Sequence, residues 1–435
     1  MTTDLAAFAA KRGVKHFMIS YTDLFGVQRA KMVPTEAIGQ MSKTGAAFAG
    51  FATWFDLSAA HPDLLALPDC SHVVQLPWQP EIAWVPANCA LGGEEFAQAP
   101  RNVLRRLVAA AEAAGLRVRT GVEPEFFLLN AEGTAPHDAL DRTEKACYDQ
   151  QAIMRRYDLF AELMSHMTTM GWRPYQCDHE DAHGQFEMNW GFDDALVTAD
   201  RHVFFKFMLR SIAERQGIRA SFMPKPFAGK SGSGCHVHVS VWDAAGEENL
   251  FLDPQAPLAL SQLGRHFLGG IVRHTPALAA ICNPTANSYR RINMTRTDAG
   301  SSWAPASVTW AGNNRTHMVR VPAPGRFEFR LPDSAANPYL LQAAIIAAGL
   351  DGVRRSLDPG PVSTRDMHSE GHLVTDAPRL PADLRDALRQ YEADTLLSEA
   401  MGPEFSSAYL KLKIRECERF AEHGNEWEHE QTLDV

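Results

Sequence analysis

Glu123-Pro124-Glu125-Phe126 puts two carboxylates on alternate positions of an apolar run, and three later stretches repeat the device. They are Gln185-Phe186-Glu187-Met188-Asn189-Trp190, His236-Val237-His238-Val239-Ser240 and Arg326-Phe327-Glu328-Phe329-Arg330-Leu331. Side chains alternate faces along a β-strand, so Glu123 shares a face with Glu125, His236 with His238, and Glu328 with Arg326 and Arg330. An ordinary half-exposed sheet also alternates, but its wet face carries Lys, Thr, Ser and Gln. Glu-x-Glu, His-x-His and Arg-x-Glu-x-Arg describe instead a sheet whose polar face lines a charged cavity.

Neighbouring strands lie about 4.8 Å apart. Two carboxylates at about 5 Å repel by about 3 kcal/mol at an effective dielectric near 20. Three or four gathered on one face therefore need protons or bridging cations. Arg326 and Arg330 offset part of the repulsion, and divalent ions offset the rest. The donors are mostly carboxylates with a His or two and no cysteine cluster, which suits Mg²⁺ or Mn²⁺ better than structural zinc.

The 435 residues exceed one comfortable core, so two domains are expected, 1–100 and 101–435. Apolar residues at 45% and charged residues at 22% fit an ordinary soluble globular protein. The net charge of −10 and the absence of a Lys/Arg-rich run argue against bulk nucleic-acid binding. Seven cysteines, with no CxxC pair, fit reduced thiols in a cytoplasm. No secretory signal follows Met1, and no apolar run is long enough to span a membrane.

Residues 14–33 read as strand, turn and strand, with Gly26 closing the turn. Short pieces between 70 and 95 add strands to a small sheet. Pro100 opens a helical pattern that Gly115 stops. Further on, residues 152–170, 199–216, 258–278, 338–350 and 381–401 read as helices alternating with the polar-faced strands. Residues 299–324 read as a long loop system.

The ordered set Gly121-x-Glu-x-Glu125, Gly184-Gln-x-Glu187, Gly232-x-Gly-x-His-x-His238, Asn287-Ser-Tyr-x-Arg291, Asn314-Arg-x₄-Arg320-Val-Pro and Arg326-x-Glu-x-Arg-x-Pro-Asp333 resembles the glutamine synthetase family over essentially the whole chain. The resemblance implies an α+β fold. It combines an N-terminal β-grasp-like domain with a catalytic domain built on a curved antiparallel sheet flanked by helices. It also implies ATP-dependent activation of the γ-carboxylate of L-glutamate as γ-glutamyl phosphate, followed by attack of a small amine, with two to three Mg²⁺ or Mn²⁺ ions per site.

Carried over residue by residue, Glu125, Glu180 and Glu187 are expected to hold the ion nearest glutamate and the amine. Glu123, His236 and Glu328 are expected to hold the ion on the phosphates. His238, Ser240, Arg320 and Arg326 are expected beside the nucleotide. Arg291 and Arg330 are expected to clamp glutamate or the γ-phosphate, the Gly232 loop to admit the amino-acid backbone, and Arg315 to stand by the phosphates. The spacing from Glu180 to Glu187 is one residue shorter than is usual in the family, so Asp178 or Asp181 is a further candidate for that acidic role. One of Asp178, Glu180 and Glu187 is expected to deprotonate the amine. Tyr289 is either a nucleotide stack or core packing.

Two acids that ordinary members use for ammonium are absent. In Phe48-Ala49-Gly50-Phe51-Ala52, which the family supplies from a neighbouring subunit, the acid is replaced by Ala49. In Gly300-Ser301-Ser302-Trp303-Ala304-Pro305, the flap over the amine, it is replaced by Trp303. An alanine and an indole make room for an alkyl-ammonium head and offer it an apolar, π-bearing surface. Together with residues 308–317, this is similar to the type III or GlnT-like branch, which includes γ-glutamylmethylamide synthetases. Methylamine is therefore the favoured amine, and ordinary ammonia use is the alternative. A catalytically silent relative would be expected to lose metal ligands, and a metal-dependent amidohydrolase would not need the phosphate-clamping arginines. The family's assembly implies a homo-oligomer, a dodecamer of two hexameric rings with sites shared between subunits.

Overall fold

The computed structural model describes residues 3–292, 294, 297, 303–423 and 430–431. Among the described residues there are two sheets. The small one begins after α1 (Leu5–Arg12), which is capped by the Asp4 carboxylate. Its first strands, β1 (His16–Thr22) and β2 (Gln28–Pro34), form the expected hairpin. Asp23 closes the turn by accepting from the backbone N–H groups of Phe25 and Val27. Gly26 stands at φ +80°, which an L side chain resists. After α2 (Thr35–Thr44) come β3 (Ala46–Phe48), β4 (Leu64–Pro68), β5 (Val74–Gln75), β6 (Ile82–Leu91) and β7 (Glu94–Glu95). The order is β2-β1-β6-β4-β3, with β1 parallel to β6. Residue 100, where the boundary between two domains is expected, is the first residue of α3 (Pro100–Ala113).

The large sheet is organised by one long strand, β8 (Leu116–Leu129). Then follow α4 (Gln150–Arg155), α5 (Tyr157–Thr169), β9 (Pro174–His179), β10 (Gln185–Trp190), β11 (Asp193–Asp194), α6 (Ala195–Arg215), β12 (Arg219–Ser221) and β13 (Cys235–Asp243). The chain continues through α7 (Gln262–Cys282), β14 (Trp310–Ala311), β15 (Val319–Ala323), β16 (Arg326–Phe329) and α8 (Pro338–Arg355). Then come α9 (Met367–Glu370), α10 (Leu384–Ala393), α11 (Thr395–Met401) and α12 (Pro403–Ala421). Among the described residues the order is β14-β15-β16-β13-β8-β10-β9, antiparallel except for the β14–β15 pair. This is the α+β arrangement of a curved, mainly antiparallel sheet flanked by helices.

The apolar half of the alternation builds the core. Val237, Val239, Val241, Phe327 and Phe329 are fully buried, and Phe267 of α7 packs on Phe327 at 6.2 Å between ring centroids. Each such phenylalanine contributes up to about 3 kcal/mol by leaving water. Behind them α7 and α8 cross at glycines: a Cβ on Gly270 would fall inside the carbonyl oxygen of Ala348. Gly270→Ala is therefore expected to cost about 1–3 kcal/mol by overpacking. A change within 0.5 kcal/mol in urea unfolding, with divalent ions held constant, would show that the crossing relaxes freely.

Helix boundaries differ from the expectations where side chains cap them. The helix expected at 258–278 starts later, because Ser261 caps it by accepting from Gly264 N–H. Leu258 and Ala259 before it lie at positive φ. The helix expected at 152–170 breaks at Arg156 (φ −115°). The one expected at 381–401 starts at the Asp383 cap and breaks at Asp394, whose carboxylate accepts from Leu397 N–H. The loop system expected at 299–324 contains β14 and β15, and its first four residues lie outside the described residues. The seven cysteines are free. Among the described residues no helix is long and apolar enough to cross a membrane.

Candidate active site

Strand register gathers the four polar stretches. Across neighbouring strands Glu328 faces His238, His236 faces Glu123, Glu125 faces Glu187, and Glu187 faces Asp178. Glu180 follows directly on His179, whose ring is fixed between Asp141 Oδ2 (2.8 Å) and the carbonyl of Ala146 (2.6 Å). Three sets of donor atoms each lie within 4.8 Å of one another: Glu125, Glu180 and Glu187; Glu123, Glu187 and His236; and Glu123, His238 and Glu328.

The electrostatics separate these acids. Burial pushes Glu180 up to about 8, with the Glu125 and Asp178 charges adding to it. Burial and the Glu123 charge raise Glu187 well above the usual range, although Asn189 Nδ2 donates to it at 2.9 Å. Burial likewise raises Asp178. Glu123 goes the other way: burial opposes its charge, but His236 and His238 overcome that and hold it low. Glu328, 0% exposed, is pulled to about 2 against its burial by Arg330, His236, His238 and Arg320. Arg330 Nη1 donates to it at 2.6 Å, and Arg320 Nε donates to its other oxygen. Raised acids beside one another are a site awaiting positive charge, so this donor set fits divalent cations.

The two histidines differ in their hydrogen bonds. Arg326 Nη1 lies 3.0 Å from His238 Nδ1 and can only donate, which leaves the proton on Nε2, 3.0 Å from Glu123. His236 Nδ1 instead points between Glu123 and Glu328 at 3.5 Å from each, too long for a strong hydrogen bond. Burial, helped by Arg330, lowers His236 and favours the neutral ring that binds metal.

Two cavities meet at this cluster. One, of about 170 Å³, is lined by Glu125, Glu180, Glu187, His236, Asp178, Gly232, Arg291, Trp303, Arg315, Arg320 and Arg330. The second, of about 560 Å³, is lined by His238, Ser240, Arg326, Tyr175, Phe192 and Trp242. Glu123 lines both. Arg320, expected beside the nucleotide, lies in the first cavity, bonded to Glu328 and Asn313 (3.2 Å). Gly232 borders the first cavity, where a Cβ would strike the carbonyl of Pro224 and the Arg291 side chain. Arg291 is held by the carbonyl of Leu331 (2.9 Å). Trp303 is 42% exposed, and its carbonyl accepts from Arg330 Nη2 at 3.3 Å.

Gly300, Ser301 and Ser302 of the flap lie outside the described residues. Ala49 is exposed and lines neither cavity of its own chain. Asp181 is occupied by Ser231 Oγ (2.5 Å) and Cys147 (3.6 Å). Tyr289 is 9% exposed in the core and donates to the carbonyl of Ala279.

Tyr148 and Cys147 also line the first cavity, and Phe192, Trp242 and Arg119 the second, none of them expected there from the sequence. Trp242 had a signal: the alternation from His236 through His238 and Ser240 continues one step further to it. Trp242 and Phe192 are near-parallel at 6.4 Å, and Arg119 lies over the Trp242 ring at 4.6 Å. Tyr148, at φ +64°, is placed by its backbone bond to the carbonyl of His179, and no sequence pattern signals that.

A carboxylate cluster fit for cations, flanked by buried arginines and set in a mainly antiparallel sheet, suits a substrate that carries negative charge. Residues 97–432 match the family described as glutamine synthetase, catalytic domain. The chain belongs to the glutamine synthetase family. It is 64% identical to a protein named glutamine synthetase from Rhizobium meliloti, over 100% of both chains. It is 39% identical over 430 residues to a glutamate–methylamine ligase from Methyloversatilis universalis, covering 97% of this chain and 96% of that one. The solved structure of a GmaS/ADP complex superposes with a TM-score of 0.96 at 51% identity over 100% of both chains.

Proposed function

We propose that this protein joins the γ-carboxylate of L-glutamate to methylamine, by way of γ-glutamyl phosphate made from ATP. The observation that carries the amine assignment is Trp303, an exposed indole on the wall of the acid-lined cavity, where the ordinary family pattern has a carboxylate. The likeness to the glutamate–methylamine ligase and to GmaS supports the same reading. Ammonia is the second reading, supported by the 64% identical protein named glutamine synthetase.

In this proposal Glu125, Glu180 and Glu187 hold one ion, and Glu123, His236 and Glu328 a second. His238 is left to the nucleotide side, because its Nε2 proton is already committed to Glu123. Bound Mg²⁺ or Mn²⁺ supplies positive charge to the transferring phosphoryl group and to the carboxylates. Arg315, Arg320 and Arg330 add fixed charge beside it, and Arg291 and the Gly232 loop hold glutamate. His238, Ser240 and Arg326 bind the nucleotide in the second cavity. Asp178, Glu180 or Glu187 takes the amine proton; burial raises Asp178, which is not among the ion ligands assigned here, and suits it to that task. Ala49 reaches this site from a neighbouring subunit of a two-ring dodecamer in the cytoplasm.

The test is ADP release from ATP and glutamate with ammonium, methylamine and ethylamine in parallel. Methylamine is expected to give the highest kcat/KM, and a higher value for ammonium would overturn the amine assignment. Trp303→Glu is expected to move the methylamine-to-ammonium ratio toward ammonium by about fourfold, the value of one buried methyl group.

A further inference from the structure

Away from both cavities, a recess of about 730 Å³ opens between the hairpin tip at Phe25-Gly26-Val27-Gln28 and the C-terminal half of α6. Lys206 and Arg210, one helical turn apart, bracket a single ring. Lys206 Nζ lies 5.1 Å and Arg210 Cζ 5.0 Å from the Phe222 centroid. Lys206 is 7% exposed, yet among the described residues it makes no ion pair. It donates to the carbonyls of Ser334 (2.6 Å) and Ala336 (3.4 Å), and an ammonium has three N–H groups. The Arg210 side chain has no hydrogen bond or ion pair among the described residues, and Glu214, the carboxylate on this wall, is not within ion-pair distance of it. Arg219 adds a third cation. Three cations against one carboxylate is the reverse of a chain with net charge −10.

We propose that this recess binds a small anion, a carboxylate or phosphate group on a compact body. Lys206 and Arg210 hold the charge, and Phe25, Phe207 and Met223 receive the body. Burial, with Arg210 adding, lowers Lys206 to about 8, a strain that a bound anion relieves. The recess connects to the reaction cavity through Ser334. Its carbonyl accepts from Lys206, its hydroxyl is 2.6 Å from the carbonyl of Glu125 and 2.8 Å from that of Gly234, and Gly234 N–H donates to the Glu125 carboxylate at 2.8 Å. This inference does not rest on the amine assignment.

The experiment follows thermal unfolding of the whole protein, held with magnesium, a non-hydrolysable ATP analogue and glutamate. Inorganic phosphate or succinate is titrated against chloride at matched ionic strength. A saturable rise in Tm is expected, and the probe that gives it distinguishes phosphate from carboxylate. Arg210→Gln is expected to raise the half-saturating concentration about tenfold, as loss of a charged hydrogen bond does, while leaving turnover unchanged. Arg210→Lys is expected to keep most of the response. No saturable rise with either probe, or the same half-saturation in Arg210→Gln as in the wild type, overturns the proposal.

Discussion

Glu328→Gln is expected to abolish measurable turnover and to destabilise the fold by about 3–5 kcal/mol, the cost of removing one partner of a buried ion pair. The reason lies on both sides of the carboxylate. Glu328 is fully buried between Arg320 and Arg330, which both donate to it, with His236 3.5 Å away. Neutralising it leaves two buried guanidinium groups without their shared counter-charge and takes one donor from the cation cluster. Loss of activity alone is what any ligand substitution gives. The diagnostic result is loss of stability in chelated protein, where no ion is bound and the arginine effect stands by itself. Wild-type stability there would sink the idea.

Loading metal-free protein with Mg²⁺ at pH 7 is expected to release on the order of one to two protons per subunit, because the ligands must ionise to bind. Burial raises Glu180 to about 8 and raises Glu187 well above the usual range, so binding a cation has to displace protons that the metal-free pair favours. The sign for folding follows from the same shifts. Between the ordinary carboxylate value of 4.5 and about 8, folded Glu180 holds a proton that the unfolded chain has lost. Stability of the metal-free protein therefore falls as pH rises through that window. Saturating Mg²⁺ removes the fall. Titration calorimetry in buffers of different ionisation enthalpy counts the protons, and a count of zero would mean that these acids are already charged.

How much of this was legible in the chain differs from residue to residue. The alternation of Glu123 with Glu125, or of His236 with His238, is local, and a period of 2 has one structural meaning. The hairpin at Asp23–Gly26 is local in the same way. Which strands become neighbours is not local: β16, β13, β8, β10 and β9 lie side by side in an order unrelated to their order in the chain. Helix breaks at Arg156 and Asp394 went unread because the apolar periodicity runs through them, and in the second case a single carboxylate cap divides the helix. The partner of each imidazole proton was equally hidden. It depends on Arg326 reaching His238 across 88 residues of sequence.

The long strand Leu116–Leu129 has one last consequence. It carries Glu123 and Glu125 itself, so their separation is the pitch of a β-strand, roughly 6.6 Å for two residues. That strand is stitched to β10, β12 and β13 over most of its length. The spacing is thus a fixed ruler, cut into a strand that is bonded to neighbours along its length. Substrate entry and product departure have to be accommodated by the loops around it, because stretching the ruler would tear the sheet apart.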